Sequence, residues 1–399
     1  MRICMVLDGY YPPDIRVENE AEALVKSGHE VIVLSFKKPD LPSEENINGV
    51  KVVRFPPAGG FKKILDFTYF SLTFSYPSWV EILKVIVKKY DVDCIHVHDL
   101  PLVKTGLIVA RKFNIPVIAD LHENYPEVVK EFRRDMDMRK KIAMISTPIW
   151  RLKRLERFCV QHVDRVITVS NEEKDRYINE YNISKDKVIV IMNTINLDLF
   201  RSLEIKPLNF NDEFVISYIG GFGSFRGLDV AIRAMPEVLR EISNARLLLV
   251  GKGMKNYEYY LRKLCKLLKV EGRVTFTGWI DFRLVPSYIS VSDVCLIPYR
   301  KCTFTDIAIS HKLFQYMAMG KPIVTSDVKA TMRIVKECKC GLVFPSGNHK
   351  KLAECIIRLY EDKKLCKKLG RNGKISVEKK YNWNNESKKL VRIYDEVQK

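Results

Sequence analysis

Ser310-His311-Lys312-Leu313-Phe314-Gln315-Tyr316-Met317-Ala318-Met319-Gly320-Lys321-Pro322-Ile323-Val324 is the stretch that decides the fold. It reads as a helix stopped at Gly320 and followed at once by a strand. The same alternation runs outward from it in both directions. Phe214–Gly220, Arg246–Gly251, Arg273–Gly278 and Val294–Tyr299 precede it as β-branched runs, and Pro322–Asp327 and Gly341–Pro345 continue it. The amino-terminal half has its own set: Arg2–Asp8, Glu30–Phe36, Lys51–Phe55, Asp93–His98, Pro116–His122, Arg165–Ser170 and Lys187–Asn193. Most are near-continuous apolar runs, as expected of parallel strands covered on both faces. The first helix between them has Asp14 as its cap, Val17, Ala21, Leu24 and Val25 on one face, and Gly28 as its stop. Around Phe200–Phe214 the periodicity lapses into a linker. Two successive βαβ sets predict an α/β protein of two doubly wound domains facing each other across a cleft, with ligands beyond the carboxyl ends of the strands.

Composition agrees with two cored domains. The chain has 399 residues, 47% hydrophobic and 29% charged, which excludes a disordered protein. Its formal charge is +19, which favours an anionic partner such as a phosphate, a nucleic acid or an anionic membrane face. No apolar run approaches the roughly 18–20 residues of a spanning helix. The first residues meet Asp8 too early for a signal peptide, and ten irregularly spaced cysteines predict reduced thiols in the cytoplasm.

The strand ends carry the candidate chemistry. Ile219-Gly220-Gly221-Phe222-Gly223-Ser224-Phe225-Arg226-Gly227 follows a strand and leads into the amphipathic Leu228–Leu239. Glycines there let a backbone approach a phosphate, and Arg226 adds a planar cationic fork. Gly251-Lys252-Gly253 and Thr277-Gly278-Trp279-Ile280 stand at the next two strand ends. Lys312 and Gln315 can share one polar helix face. His96-x-His98-Asp99 mimics a metal-ligand pattern, but no partner set is evident and no metal is expected. Asp91-x-Asp93 and Asp135-x-Asp137 mimic a cation-binding carboxylate pair and read as solvated charges. A nicotinamide site is disfavoured, because Gly-Gly-x-Gly is not the dinucleotide fingerprint and no acid stands where the ribose clamp belongs. Lys130–Arg157 holds ten basic and four acidic residues among Phe132, Ile149 and Trp150, a composition that could hold the protein at an anionic leaflet or simply form a solvated helical insertion. No nucleic-acid reading module accompanies the charge.

Taken together, these motifs resemble the retaining GT-B glycosyltransferases of family 4 (glycosyl transferases group 1). The resemblance rests on Asp8-Gly9-Tyr10-Tyr11-Pro12-Pro13, Ile95 to Asp99, Asp120-Leu121-His122-Glu123, Gly220 to Gly227, Leu249 to Gly253, Phe276-Thr277-Gly278, Lys312 to Val324, Gly341 to Pro345 and Trp383 to Tyr394, in the family's order. It implies an acceptor-side Rossmann-like domain over 1–205, a nucleotide-sugar domain over 206–380, and a terminal helix over 381–399 that crosses back to the first. It also implies a hexosyl transfer from a nucleotide-diphosphate sugar to a lipid-linked or glycan acceptor, without metal or other cofactor, on the cytoplasmic side and with peripheral membrane attachment as a further expectation.

Residue by residue, the resemblance makes His122, Arg226 and Lys312 catalytic, with Arg226 and Lys312 assisted by the N–H groups opening an Ile307–Met319 helix. It assigns Gly9, Gly221, Gly223, Gly253, Gly278, Trp279, Asp306 and Gln315 to the donor. Three positions depart from the family: Gly221 replaces an arginine, and Ile307 and Gln315 replace its paired glutamates. Asp306 could substitute for the first glutamate and Gln315 for the second. These departures leave a nucleotide-sugar epimerase of related fold, or a non-catalytic nucleotide-sugar-binding protein, as alternatives.

Overall fold

The computed structural model describes residues 1–135, 147–210 and 212–398. It forms two compact units, one of Met1–Lys130, Asp137–Met192 and Glu386–Lys399, the other of Glu131–Met136 and Asn193–Asn385.

In the first unit the strands are β1 (Arg2–Tyr10), β2 (Glu30–Phe36), β3 (Glu44–Ile47), β4 (Val50–Phe55), β5 (Cys94–His98), β6 (Val117–Leu121), β7 (Arg165–Thr168) and β8 (Val188–Val190). They form one sheet in the order β3-β4-β2-β1-β5-β6-β7-β8. Every pairing is parallel except the β3–β4 hairpin. The five residues of β5 and of β6 are all buried, as a sheet covered on both faces requires. The helix Ile15–Lys26 is capped by Asp14, whose carboxylate accepts from the Arg16 and Val17 amides, and it ends at Ser27 before Gly28. The carboxyl-terminal helix Trp383–Val397 brings Tyr394 against β5 and leaves the Tyr394 ring fully buried.

The second unit has β9 (Phe214–Ile219), β10 (Ala245–Val250), β11 (Val274–Phe276), β12 (Val294–Ile297), β13 (Ile323–Ser326) and β14 (Gly341–Phe344). Its order is β11-β10-β9-β12-β13-β14, and all pairings are parallel. In each sheet the winding reverses beside the first strand of the unit, between β1 and β5 and between β9 and β12. Loops leaving the carboxyl ends of such a strand pair splay apart and open a crevice. Asp8-Gly9 and His98-Asp99 stand at one of these points, Gly220 and Tyr299 at the other.

Several expectations need correction. The single Ile307–Met319 helix is two helices, Thr303–Ile307 and His311–Ala318, separated by Ala308-Ile309-Ser310. The Phe200–Phe214 linker begins inside a helix, Leu197–Ser202, because Phe200 is buried. Asp91 is a solvated charge as expected, its side chain 83% exposed, and pairs with Arg2 at 2.7 Å, whereas the half-buried Asp93 pairs with Arg2 at 3.3 Å. Asp137, of the Asp135-x-Asp137 pair, lies outside the described residues, as does the 136–146 part of the basic segment. Within the described part, Lys130 and Lys153 both pair with Glu127, which offsets some of its charge. All ten cysteines are free thiols. Among the described residues, no helix is long and apolar enough to cross a membrane.

Candidate functional site

In the second unit Arg226 and Lys312, eighty-six positions apart in sequence, meet on one phenol. Strand β12 ends at Ile297, and the turn through Pro298 aims Tyr299 inward, where it is 1% exposed. Lys312 donates to Tyr299 Oη at 2.9 Å and to Ser310 Oγ at 3.2 Å. Arg226 donates to the same Tyr299 oxygen, with its guanidinium 4.8 Å from the ring centres of both Phe225 and Tyr299. Lys312 also lies 4.8 Å from the centre of the Tyr218 ring. Both of these hydrogen bonds of Lys312 go to hydroxyls rather than to a carboxylate. Burial alone would raise the Tyr299 pKa, but Arg226 and Lys312 pull it down to about 7. Burial, aided by Arg226, lowers that of Lys312. A buried Lys312 and a half-buried Arg226 around one phenol make a site that favours an anion with several oxygens.

Glycines let the backbone pack closely around these cations. Gly220 follows β9 at φ +135°, and a β-carbon there would stand 3.0 Å from Lys312 Nζ. Gly227 starts the helix Leu228–Glu241 at φ +66°, where a β-carbon would stand 1.9 Å from the Pro298 carbonyl oxygen. The loop is therefore pressed against the strand end that carries Tyr299.

The other expected donor residues fall less uniformly. Gly253 would put a β-carbon 2.4 Å from the Phe222 carbonyl oxygen, whereas Gly221 has nothing nearer than 3.9 Å and is not required by packing. Gly223 caps the short turn Ser224–Arg226, and Gly278 takes a positive φ facing open space. Trp279 is 73% exposed, so it is not a core residue. Asp306 accepts from the Lys329 amide at 3.0 Å, at the start of the helix Lys329–Cys338. Gln315 is half-buried one turn after Lys312, while Ile307 belongs to the other helix and is buried.

In the first unit the strand ends gather three imidazoles around Asp120. His122 Nε2 lies 2.7 Å from Asp120 Oδ2, and His98 Nδ1 is hydrogen-bonded to the same oxygen at 3.0 Å. His96 Nε2 lies 3.5 Å from it and 3.7 Å from Glu20 Oε2, while His96 Nδ1 meets Tyr394 Oη at 2.5 Å. Asp120, His96 and His98 are wholly buried and His122 is 8% exposed. Burial opposes ionisation of Asp120, but His122 and its neighbours hold its pKa well below the carboxylate range. Burial and the charge of Asp120 hold Glu20 well above that range, and burial with His98 lowers His96 to about 4. One carboxylate is thus kept ionised to serve the histidines, and the other is kept neutral. Glu20, His96, His98 and Asp120 present donor atoms within 4.8 Å of one another, a set that a divalent ion could use. Nearby, Arg16 pairs with Asp14 at 3.0 Å and with Asp99 at 3.9 Å. Gly9 lies inside β1, where a β-carbon would touch only the Leu7 side chain.

The comparisons with known proteins match this architecture. Residues 15–199 match the profile described as Glycosyltransferase Family 4, and residues 213–362 match Glycosyl transferases group 1. An uncharacterized glycosyltransferase of Methanocaldococcus jannaschii is 31% identical, over 99% of this chain and 98% of its own. The chain belongs to the group 1, family 4 glycosyltransferases. The fold of this glycosyltransferase is that of solved GT-B structures. Sucrose-phosphate synthase from Thermosynechococcus elongatus superposes with a TM-score of 0.80, 22% identity and coverage of 100% of this chain and 99% of the other. Anabaena HepE in complex with UDP-glucose gives 0.75, at 15% identity over 99% of this chain and 100% of the other.

The sequence reading gave no role to Tyr299, Tyr218, Ser310, Arg16, Glu20 or Tyr394. Glu20 left a trace, since it follows Val17 by three positions and so interrupts the apolar face of the first helix.

Proposed function

We propose that this glycosyltransferase moves a hexosyl unit from a nucleotide-diphosphate sugar to a lipid-linked or polysaccharide acceptor, with retention of configuration. The convergence of Arg226 and Lys312 on Tyr299, at the reversal point of the second sheet, carries this reading. As the bond to the sugar breaks, negative charge grows on the diphosphate, and two cations oriented beforehand, one buried and one half-buried, stabilise it more in the transition state than in the ground state. The glycine turns at 221, 223, 253 and 278, with Gly9, let the donor's phosphates approach the backbone, while Gln315 accepts from ribose hydroxyls. Asp306 contacts the sugar and Trp279 offers its exposed ring. His122, held on Asp120, stands on the acceptor side. No carboxylate nucleophile is invoked: the acceptor attacks from the face the diphosphate leaves, which preserves configuration. The charge on the leaving group is met by side chains, so no metal is needed. The complex of HepE with UDP-glucose supports a nucleotide sugar as donor. The family match favours transfer over the epimerase and binding-protein readings.

Nucleotide sugars screened by thermal melting identify the donor, since a ligand at 100 times its Kd adds ~2.7 kcal/mol. The stabilising sugar is then incubated with acceptors, with and without a chelator, and the product's anomeric configuration is read by NMR. Transfer with retention, unaffected by the chelator, is expected. Isomerised sugar appearing without any acceptor would establish the epimerase instead.

A further inference from the structure

The helix Gly60–Thr73 of the first unit is turned inside out. Its buried residues are Asp66, Phe70 and Ser71, and Asp66 is its only acid. Asp66 accepts from the Ser78 amide at 3.1 Å and from the Ser78 hydroxyl, which ties it to the start of the helix Pro77–Tyr90. Apart from Phe67, 54% exposed and off this row, outward stand Phe61, Ile64, Leu65, Tyr69 and Leu72, each between 46% and 77% exposed. Their spacing from Phe61, of three, four, eight and eleven positions, places them on a single face. Single exposed apolar residues are ordinary, but a contiguous row of five marks a surface that is covered by something.

The charges around the row indicate what covers it. Lys62 and Lys63 are exposed on the same helix, and with Asp66 turned inward no acid remains on its outer side. The helix Ile149–His162 extends the surface. Its Arg151 donates to the Leu72 carbonyl at 3.0 Å and lies 4.8 Å from the centre of the Phe74 ring, which joins the two helices. Trp150 is 59% exposed, and the exposed Arg154 and Arg157 follow it by four and seven positions, on one face. A second copy of the chain fits poorly. A two-fold contact would press this patch on itself and set Lys62, Lys63, Arg154 and Arg157 against their own counterparts.

We infer that the helix Gly60–Thr73 docks this glycosyltransferase on an anionic lipid bilayer. The helix lies in the interface, with Phe61, Leu65 and Leu72 at the acyl boundary and Trp150 at headgroup level. Lys62, which flanks the row, and Arg154 and Arg157 face the lipid phosphates. The inference deepens the proposed reading, on which it rests only for the need to reach a lipid-linked acceptor.

Co-sedimentation of the full chain with vesicles tests it. Wild-type protein is expected to bind vesicles containing phosphatidylglycerol and not those of phosphatidylcholine alone, and to be released as salt rises. The triple variant Phe61→Gln/Leu65→Gln/Leu72→Gln should lose about 1000-fold in partitioning, because each side chain withdrawn from the acyl boundary accounts for about tenfold. Its melting temperature and nucleoside-diphosphate affinity should match wild type, since these residues face solvent. Equal partitioning of the two proteins, or no sedimentation of wild type with anionic vesicles, overturns the docking inference. So does a wild-type dimer that the triple variant dissociates, for the face would then belong to a second copy. Unchanged diphosphate binding in those cases leaves the transfer reading standing.

Discussion

Replacing Lys312 by Met tests the anion site most directly, because the two consequences of the change have opposite signs. The ammonium is 7% exposed and 2.9 Å from Tyr299 Oη, so a phosphate oxygen that replaced the phenol as its partner would sit at hydrogen-bond distance. At ~4 Å and an effective dielectric of ~20 the Coulomb attraction is about 4 kcal/mol, an upper bound before desolvation. A hydrogen bond between charged groups retains about 1.5–3 kcal/mol of that, so Lys312→Met should weaken nucleoside-diphosphate binding about 10- to 150-fold. Titration calorimetry with the diphosphate and with the corresponding nucleoside separates phosphate from base contacts, and the nucleoside should bind both proteins alike. Stability should move the other way. Burial holds the Lys312 pKa below its ordinary value, which means that folding opposes this charge, and an isosteric apolar side chain should leave the melting temperature unchanged or raise it. Diphosphate affinity within twofold of wild type, or an equal loss for diphosphate and nucleoside, would refute the assignment of Lys312 to the phosphates.

Three further outcomes follow from the same unit. Tyr299, with a pKa of about 7 against about 10 when unfolded, should add stability as pH rises from 7 to 10 and lose it as pH falls through 7. Tyrosinate absorbance should titrate near 7 in wild type, and Tyr299→Phe should abolish that step and flatten the stability rise. Gln315→Glu should preserve or tighten nucleotide affinity and Gln315→Leu should reduce it, with equal calorimetric affinities for all three proteins showing that the side chain does not reach the ribose. Gly227→Ala should lower stability by more than about 2 kcal/mol in chemical denaturation, because the backbone holds φ at +66° and the new methyl would meet the Pro298 carbonyl. A near-wild-type midpoint would mean that the loop shifts freely.

The strands were legible because burial on both faces writes itself as apolar runs, and Glu30–Phe36 matches its expected bounds residue for residue. Strand β3 was not legible, since an edge strand reading Glu-Glu-Asn-Ile has one solvated face and no apolar run. Its only local mark is Asn48-Gly49, both at positive φ, the signature of a tight hairpin turn. In the site, Arg226 and Lys312 were visible because glycines and a helix start flank them. Tyr299 was hidden for a topological reason. Nothing local distinguishes a tyrosine two residues after a strand from a core residue, and only the neighbouring of β12 with β9 brings it under Gly220. The Ile307–Met319 helix failed on a related point. Its apolar period continues through Ile309, yet Ala308, Ile309 and Ser310 leave the helical register, so Lys312 sits in a first turn rather than in mid-helix.

The helix Gly60–Thr73 exposes a deeper limit on reading sequences. Apolar periodicity establishes that a helix has an oily face, but the hydrophobic effect is non-directional and does not say what the face meets. On an ordinary surface helix a lone acid opposite such a face points to water and the apolar row points to the core. Here Asp66 is the buried residue, because Ser78 offers it two donors at the start of the next helix and so satisfies a carboxylate away from solvent. Once that corner is tied, the helix cannot rotate its apolar row inward without breaking both hydrogen bonds. The orientation is therefore set by this interaction twelve residues away in sequence together with the buried Phe70 and Phe74. Asp66→Ala makes the point testable: it should lower stability while leaving the row exposed, provided Phe70 and Phe74 still anchor the helix. Dye binding to exposed apolar surface, compared between this variant and wild type, would show a loss if the row had instead turned inward.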